Sequence, residues 1–199
     1  MAGRLHLLLL LLVVGVGPAL AQAETPEPTP VPDTDTLDPT PPGSLNPAPL
    51  PPLADPDSPS TPARELFARK PTPFPGPARS IGFYAHGCLA GGVALPIDGP
   101  AWQVMRLSRN RNWGNPALIT FLERFANNAK KVGWNGLLVG DMSQPRGGPM
   151  ISGHSSHQVG LDADIWFTPM PDHIQSRAER EFSGAADMVA ADRRDVDPK

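Results

Sequence analysis

Apolar positions along this 199-residue chain fall into short runs that predict a mixture of helices and strands. The longest helical period opens at Asn115-Pro116, a capping residue followed by proline at the first helical position, and runs to about Val132 before Gly133. Within it Leu118, Leu122, Phe125 and Ala129 make one stripe, flanked by Ile119 and Phe121, and the stripe is expected to be core. Strands are predicted for Ser80 to Tyr84, for Val104 to Leu107, for the buried run Gly136 to Asp141, and for Leu161 to Phe167, where Asp162 and Asp164 share a face. A second helix is predicted around Ser176 to Ala191. The loose alternation implies an α+β fold, and no internal repeat is present.

The two ends of the apolar pattern behave differently. Leu7 to Val16 is about half of the roughly 20 residues a spanning helix needs. With Arg4 before it and small residues at Ala19-Leu20-Ala21 and Ala21-Gln22-Ala23 after it, residues 1–23 read as a removable secretory signal. No cysteine near either cleavage site offers a lipid anchor, so an exported, periplasmic protein with no stable membrane insertion after cleavage is expected. Residues 24–62 are dense in proline, with seven acids (Glu24, Glu27, Asp33, Asp35, Asp38, Asp55, Asp57) and no base. That composition predicts a disordered, self-repelling linker, with a proline-recognition ligand as the rival reading. The formal charge of −3 therefore hides a mildly basic remainder, 63–199, which reads as the folded domain. Nothing in it matches a nucleic-acid-binding motif.

The chemistry concentrates in Ser152-Gly153-His154-Ser155-Ser156-His157-Gln158-Val159-Gly160-Leu161-Asp162-Ala163-Asp164, where two histidines and two carboxylates fall within eleven residues. Imidazole nitrogen with carboxylate oxygen suits Zn2+, which takes three protein ligands and leaves a fourth position open in catalytic sites. His157 sits on a loop, Gly160 permits a sharp entry into the following strand, and Asp162 is positioned to orient a histidine. On composition alone the same loop serves equally well as a hydrogen-bonded polar surface.

Ser155 to Asp164 resembles the pattern Ser-x-His-x-x-Gly-x-(Ala/Asp)-x-Asp of zinc peptidases that include lysostaphin-type enzymes, D-alanyl-D-alanine carboxypeptidases and hedgehog-like domains. Ser80 to Cys88, Leu95-Pro96-Ile97, Gln103 to Arg106, Gly140-Asp141-Met142 and Gly153 to Gln158 together resemble the penicillin-insensitive murein endopeptidases, over roughly 80–168. The resemblance implies a small antiparallel-type sheet with flanking helices, of the hedgehog and D-Ala-D-Ala peptidase kind. It implies His157 and Asp164 as zinc ligands and His154 as a catalytic residue beside the metal. The substrate it implies is peptidoglycan, cleaved at the D-alanyl-to-diaminopimelyl amide by a zinc-activated water, without a serine for penicillin to acylate.

The chain also departs from that pattern. The family's later His-x-His, which supplies the third ligand, has no counterpart here: after Asp164 the only histidine is His173, in a Pro169-Met170-Pro171-Asp172 turn. The family's matching cysteine pairs with one near the C-terminus, whereas Cys88 is the sole cysteine. These departures lead us to expect a domain incomplete at its C-terminus, an edge left open on the strand Leu161–Phe167, weak zinc binding and no turnover for the 199 residues themselves. The alternative is a non-catalytic murein-binding or regulatory module. For His86 a structural role is expected.

Overall fold

The computed structural model describes residues 50–184, 186, 188–190 and 193–196. The signal stretch 1–23 and the linker up to residue 49 lie outside the described residues. The last part of the proline-rich stretch, from residue 50, leads into helix α1 (Ala63–Ala68), and Arg69 reaches back to donate to the Pro51 carbonyl at 2.8 Å.

Strands β1 (Arg79–Phe83) and β2 (His86–Ala90) form an antiparallel hairpin in which Ile81 faces Cys88. Next come β3 (Val93–Ala94), β4 (Asp98–Gly99), β5 (Trp102–Val104), β6 (Trp113–Gly114), α2 (Pro116–Ala129), β7 (Leu137–Val139) and α3 (Arg177–Phe182). β3 pairs antiparallel with β6, and a three-stranded sheet runs in the order β4-β5-β7. The α+β class holds. The sheet expected to be of antiparallel type is mixed, because β5 and β7 run parallel, Trp102 beside Leu137 and Val104 beside Val139.

α2 forms as its signals dictate. Asn115 is extended, its side chain accepts from the Ala117 amide, Pro116 takes the first helical position, and a short 3-10 turn ends at Gly133 in the left-handed region. The stripe is rotated from the expected one. Leu118, Ile119, Leu122 and Ala126 are buried against Trp102, Val104, Leu137 and Val139, whereas Phe125 is 43% exposed and stacks on Phe121 at 5.7 Å. At 3.6 residues per turn the period through Leu118 and Leu122 continues to Ala126, and an aromatic pair one turn apart covers its own flank on the outer side.

Three further expectations change. The strand expected at Val104–Leu107 ends at Val104; Arg106 turns into the left-handed region and Leu107–Arg109 forms a 3-10 turn. The helix expected over Ser176–Ala191 is only Arg177–Phe182, capped by Ser176 with a reciprocal Glu179 box and stopped by Ser183-Gly184. Hydrogen bonding from Ser176 holds the Glu179 carboxyl down at about 2. The stretch Leu161–Phe167 is extended but not a regular strand: it meets β7 through the single bridge Val139–Ile165. Its first half is committed elsewhere, because the Asp162 carboxylate accepts from the His157 amide at 3.2 Å.

α3 is fastened by buried charge. Arg180 donates to the carbonyls of Val104, Ile97 and Gln175, to Gln103 and to Asp98, and Glu181 accepts from the amide and hydroxyl of Ser108. Among the described residues no helix is long and apolar enough to cross a membrane.

The rotated stripe makes a direct prediction. Leu122→Ala should cost about 2–5 kcal/mol in urea unfolding, since it empties a site only 3% exposed, while Phe125→Ala should cost well under half as much. Equal losses would restore the stripe through Phe125. Asn115→Ala, which removes the α2 cap and a bond to the Ser80 hydroxyl, should cost about 1 kcal/mol in the same measurement.

Candidate metal centre

A tight turn builds the site. His157 adopts a positive φ of 63°, Gly160 follows at 66°, and the Gly160 amide returns to the His157 carbonyl at 3.3 Å. A side chain at Gly160 would lie 2.7 Å from Leu89 and 3.1 Å from the Asn115 amide, so only glycine lets the turn pack against the α2 cap. The turn sends the chain back along the end of β7. Gly140 donates to the Asp164 carbonyl at 3.0 Å, Asp164 to the Asp141 carbonyl at 2.9 Å, and Trp166 to the Leu138 carbonyl at 3.0 Å.

These constraints bring His154, His157 and Asp164 together, with one donor atom from each lying within 4.8 Å of the others. The His157 side chain is 2% exposed; Nδ1 lies 2.7 Å from Asp162 Oδ2 and Nε2 lies 3.6 Å from Asp164 Oδ2. The short approach to Asp162 lacks hydrogen-bond alignment, and neither ring nitrogen of His157 makes a hydrogen bond. A buried imidazole whose nitrogens meet carboxylates without an aligned hydrogen bond is poorly satisfied unless it is charged or something else meets it. Two imidazoles and one carboxylate form a donor set that fits zinc.

The electrostatics agree with that geometry. Burial lowers the pKa of His157, but its interactions with Asp164, Asp162 and Asp141 outweigh burial and leave it raised. Asp164 is lowered, chiefly by its interaction with His157, against a smaller opposing effect of burial.

Each residue singled out in the sequence has a definite place. His154, His157 and Asp164 are joined, and Asp162 approaches the His157 ring on the side away from Asp164. His173 stands apart: it is exposed, with Nε2 3.2 Å from Glu179 and Nδ1 3.6 Å from Asp172. His86 is exposed, with its ring Nδ1 2.8 Å from the Ala85 carbonyl, and Cys88 is a free, half-buried thiol among the described residues. A cleft of about 590 Å3 lined by Trp134, Asp98, Asp172 and His173 shares no residue with the donor group.

Sequence reasoning missed Asp141, Arg109 and Arg111 as parts of this site. Asp141 is 4% exposed, and its Oδ2 takes Arg111 Nη1 at 2.8 Å and Arg109 Nη1 at 3.2 Å, with His154 Nε2 at 3.6 Å. A carboxylate closing an apolar strand run, Gly140-Asp141, was the available signal; the two arginines carry none, because Arg109 ends a short 3-10 turn and Arg111 lies in the irregular segment after it.

Comparison with known proteins finds relatives at the level of sequence. A family model described as penicillin-insensitive murein endopeptidase matches residues 80–199. A penicillin-insensitive murein endopeptidase of Klebsiella pneumoniae is 40% identical over 126 residues, which is 63% of this chain and 46% of that protein. One from Haemophilus influenzae is 50% identical over 91 residues, 46% of this chain and 32% of that protein. One from Salmonella paratyphi B is 41% identical over 126 residues. The chain thus spans less than half the length of these relatives.

The two pKa shifts bracket a pH window for the metal-free chain. Asp164, lowered on folding, contributes stability that is present above the ordinary carboxylate pKa and is lost as pH falls through its folded value. His157, raised on folding, contributes stability that is present below the ordinary imidazole pKa and is lost as pH climbs through its folded value. Thermal melts with chelator present should therefore show this contribution greatest between about pH 4 and 6.5, with the alkaline decline flattened in His157→Gln. An unchanged alkaline slope in that variant would remove His157 from the account.

Proposed function

Since the chain belongs to the penicillin-insensitive murein endopeptidase family, we propose that it is a zinc-dependent hydrolase of peptidoglycan cross-bridges, acting on the D-alanyl-to-diaminopimelyl amide. The observation that carries the reading is the convergence of His154, His157 and Asp164, all within the segment matched to the family. The small apolar-cored leader at 1–23 supports export to the periplasm, where this substrate lies.

His157 and Asp164 are the residues that would hold zinc. His157 is the buried anchor, with Nε2 turned toward Asp164 and Nδ1 toward Asp162. Asp162 orients that ring, as an outer carboxylate does for many metal-ligating histidines. Zinc, when bound, supplies Lewis acidity toward the amide carbonyl and lowers the pKa of a water to about 7. His154 has a side chain 34% exposed, so it can meet both the donor group and an arriving substrate; it is the residue that handles the proton passed to the leaving amine. It also lies within reach of the same point as the two ligands, so His157 and Asp164 are not the only donors available to the ion. Binding depends further on Asp164, half exposed and therefore the open side of the cluster.

With His154 available as a third donor, the full chain should take up one zinc per molecule and convert cross-linked muropeptide dimers to monomers in the presence of penicillin, rather than show the weak binding and absent turnover expected from the missing His-x-His. His157→Ala should weaken zinc by more than about 100-fold in chelator competition and abolish cleavage, exceeding the loss typical of a partner outside the ligand set. Cleavage or stoichiometric zinc retained by His157→Ala would overturn the assignment.

A further inference from the structure

The imidazole of His154 lies between two carboxylates: Asp164 Oδ2 is 3.5 Å from Nδ1 and Asp141 Oδ2 is 3.6 Å from Nε2. The two acids differ in how they are held. The Asp164 side chain is 46% exposed and is shared with His157, whereas the Asp141 side chain is 2% exposed and gripped by two guanidinium groups. Asp141 is held in place, because Arg111 is itself fastened to Ser152.

Arg111 does more than neutralise Asp141. Its Nη1 donates to Asp141 Oδ2, while its Nη2 donates to the Ser152 carbonyl at 2.9 Å and to the Ser152 hydroxyl at 3.1 Å. One planar fork therefore joins the carboxylate that faces the His154 ring to the backbone two residues before His154. Gly153 takes a φ of +76°, and a side chain there would press to 3.1 Å against Arg111 Nη1, so the turn lies directly on the guanidinium. The Arg111 carbonyl also accepts from the Met142 amide at 2.8 Å, which ties the arginine's own backbone to the end of β7. Asp141 in turn accepts the Asp164 amide through its carbonyl.

We infer that Asp141, clamped by Arg111, is the positioning residue for His154, holding its Nε2–H and leaving the Nδ1 lone pair turned toward Asp164 and the reaction space. The inference rests on reading this cluster as the active site. The contact at 3.6 Å is slightly longer than a hydrogen bond, and such contacts tighten when a site is occupied. A lysine at position 111 would keep the charge but lose the fork, since an ammonium is a point donor that cannot hold Asp141 and the Ser152 turn in one plane.

Long-range 1H–15N correlation spectra of the metal-stripped full chain at about pH 9, above the ordinary imidazole range, read the tautomer directly. His154 should show the Nε2–H pattern, and Arg111→Lys should lose that single pattern in favour of mixed tautomers. A dominant Nδ1–H form in the wild-type chain, or an unchanged spectrum in folded Arg111→Lys, overturns the inference. If circular dichroism shows Arg111→Lys unfolded, the wild-type spectrum decides alone, Nε2–H supporting and Nδ1–H refuting. Zinc titration of the wild-type sample separates this from the functional reading. The Nε2–H form without zinc uptake sinks the metal and leaves the positioning role standing, whereas zinc uptake with the Nδ1–H form does the reverse.

Discussion

Three main-chain hydrogen bonds, Gly140 to Asp164, Asp164 to Asp141 and Trp166 to Leu138, tie an otherwise irregular segment to the end of the only parallel strand pair among the described residues. Asp164 takes its position from that register. Asp164 is opposite Asp141 because its amide is spent on the Asp141 carbonyl, and a slip of one residue would turn its carboxylate to the other face. The register is secure because β7 is buried on both sides, Leu137, Leu138 and Val139 each being at most 3% exposed. The site is therefore built against a fully buried strand.

The polar groups around the site are arranged to hold charges that burial alone would reject. Asp141 is satisfied by two arginines, and Arg111 also donates from Nη2 to the Ser152 turn. His157 differs: its ring is buried among carboxylates with no aligned hydrogen bond at either nitrogen. A satisfied buried ion pair acts as scaffold, whereas a buried imidazole that meets carboxylates without an aligned hydrogen bond is a candidate ligand. The contrast between two residues so close together separates the framework from the chemistry. The same use of buried charge recurs at Arg180, whose guanidinium collects carbonyls from Ile97, Val104 and Gln175 and fixes α3 to the central sheet.

Much of this was legible in the chain itself. Asn115-Pro116 and Gly133 set the limits of α2, since caps and glycine stops act locally, and the apolar run at Leu137–Val139 is a strand as its composition demands. The cluster at His154 to Asp164 stood out because three of its donors are close in sequence, joined by a glycine turn. The end of α3 was harder, because charged residues after Phe182 are compatible with a helix until Ser183-Gly184 is weighed against them.

What the sequence determined by itself was therefore everything governed by near neighbours: the caps, the turn at Gly160, and the concentration of His and Asp side chains in one short segment. Tertiary structure decided the facing of α2, where packing on β5 and β7 selected Ala126 over Phe125, and the mixed sense of the sheet. It also decided the company of His154. Arg111, Asp141 and Ser152 are separated by 30 and 41 residues along the chain from the arginine, and nothing local marks them as partners. Only the folded register brings a buried carboxylate to the imidazole, because the contact is made by three segments whose approach depends on the shared core beneath them.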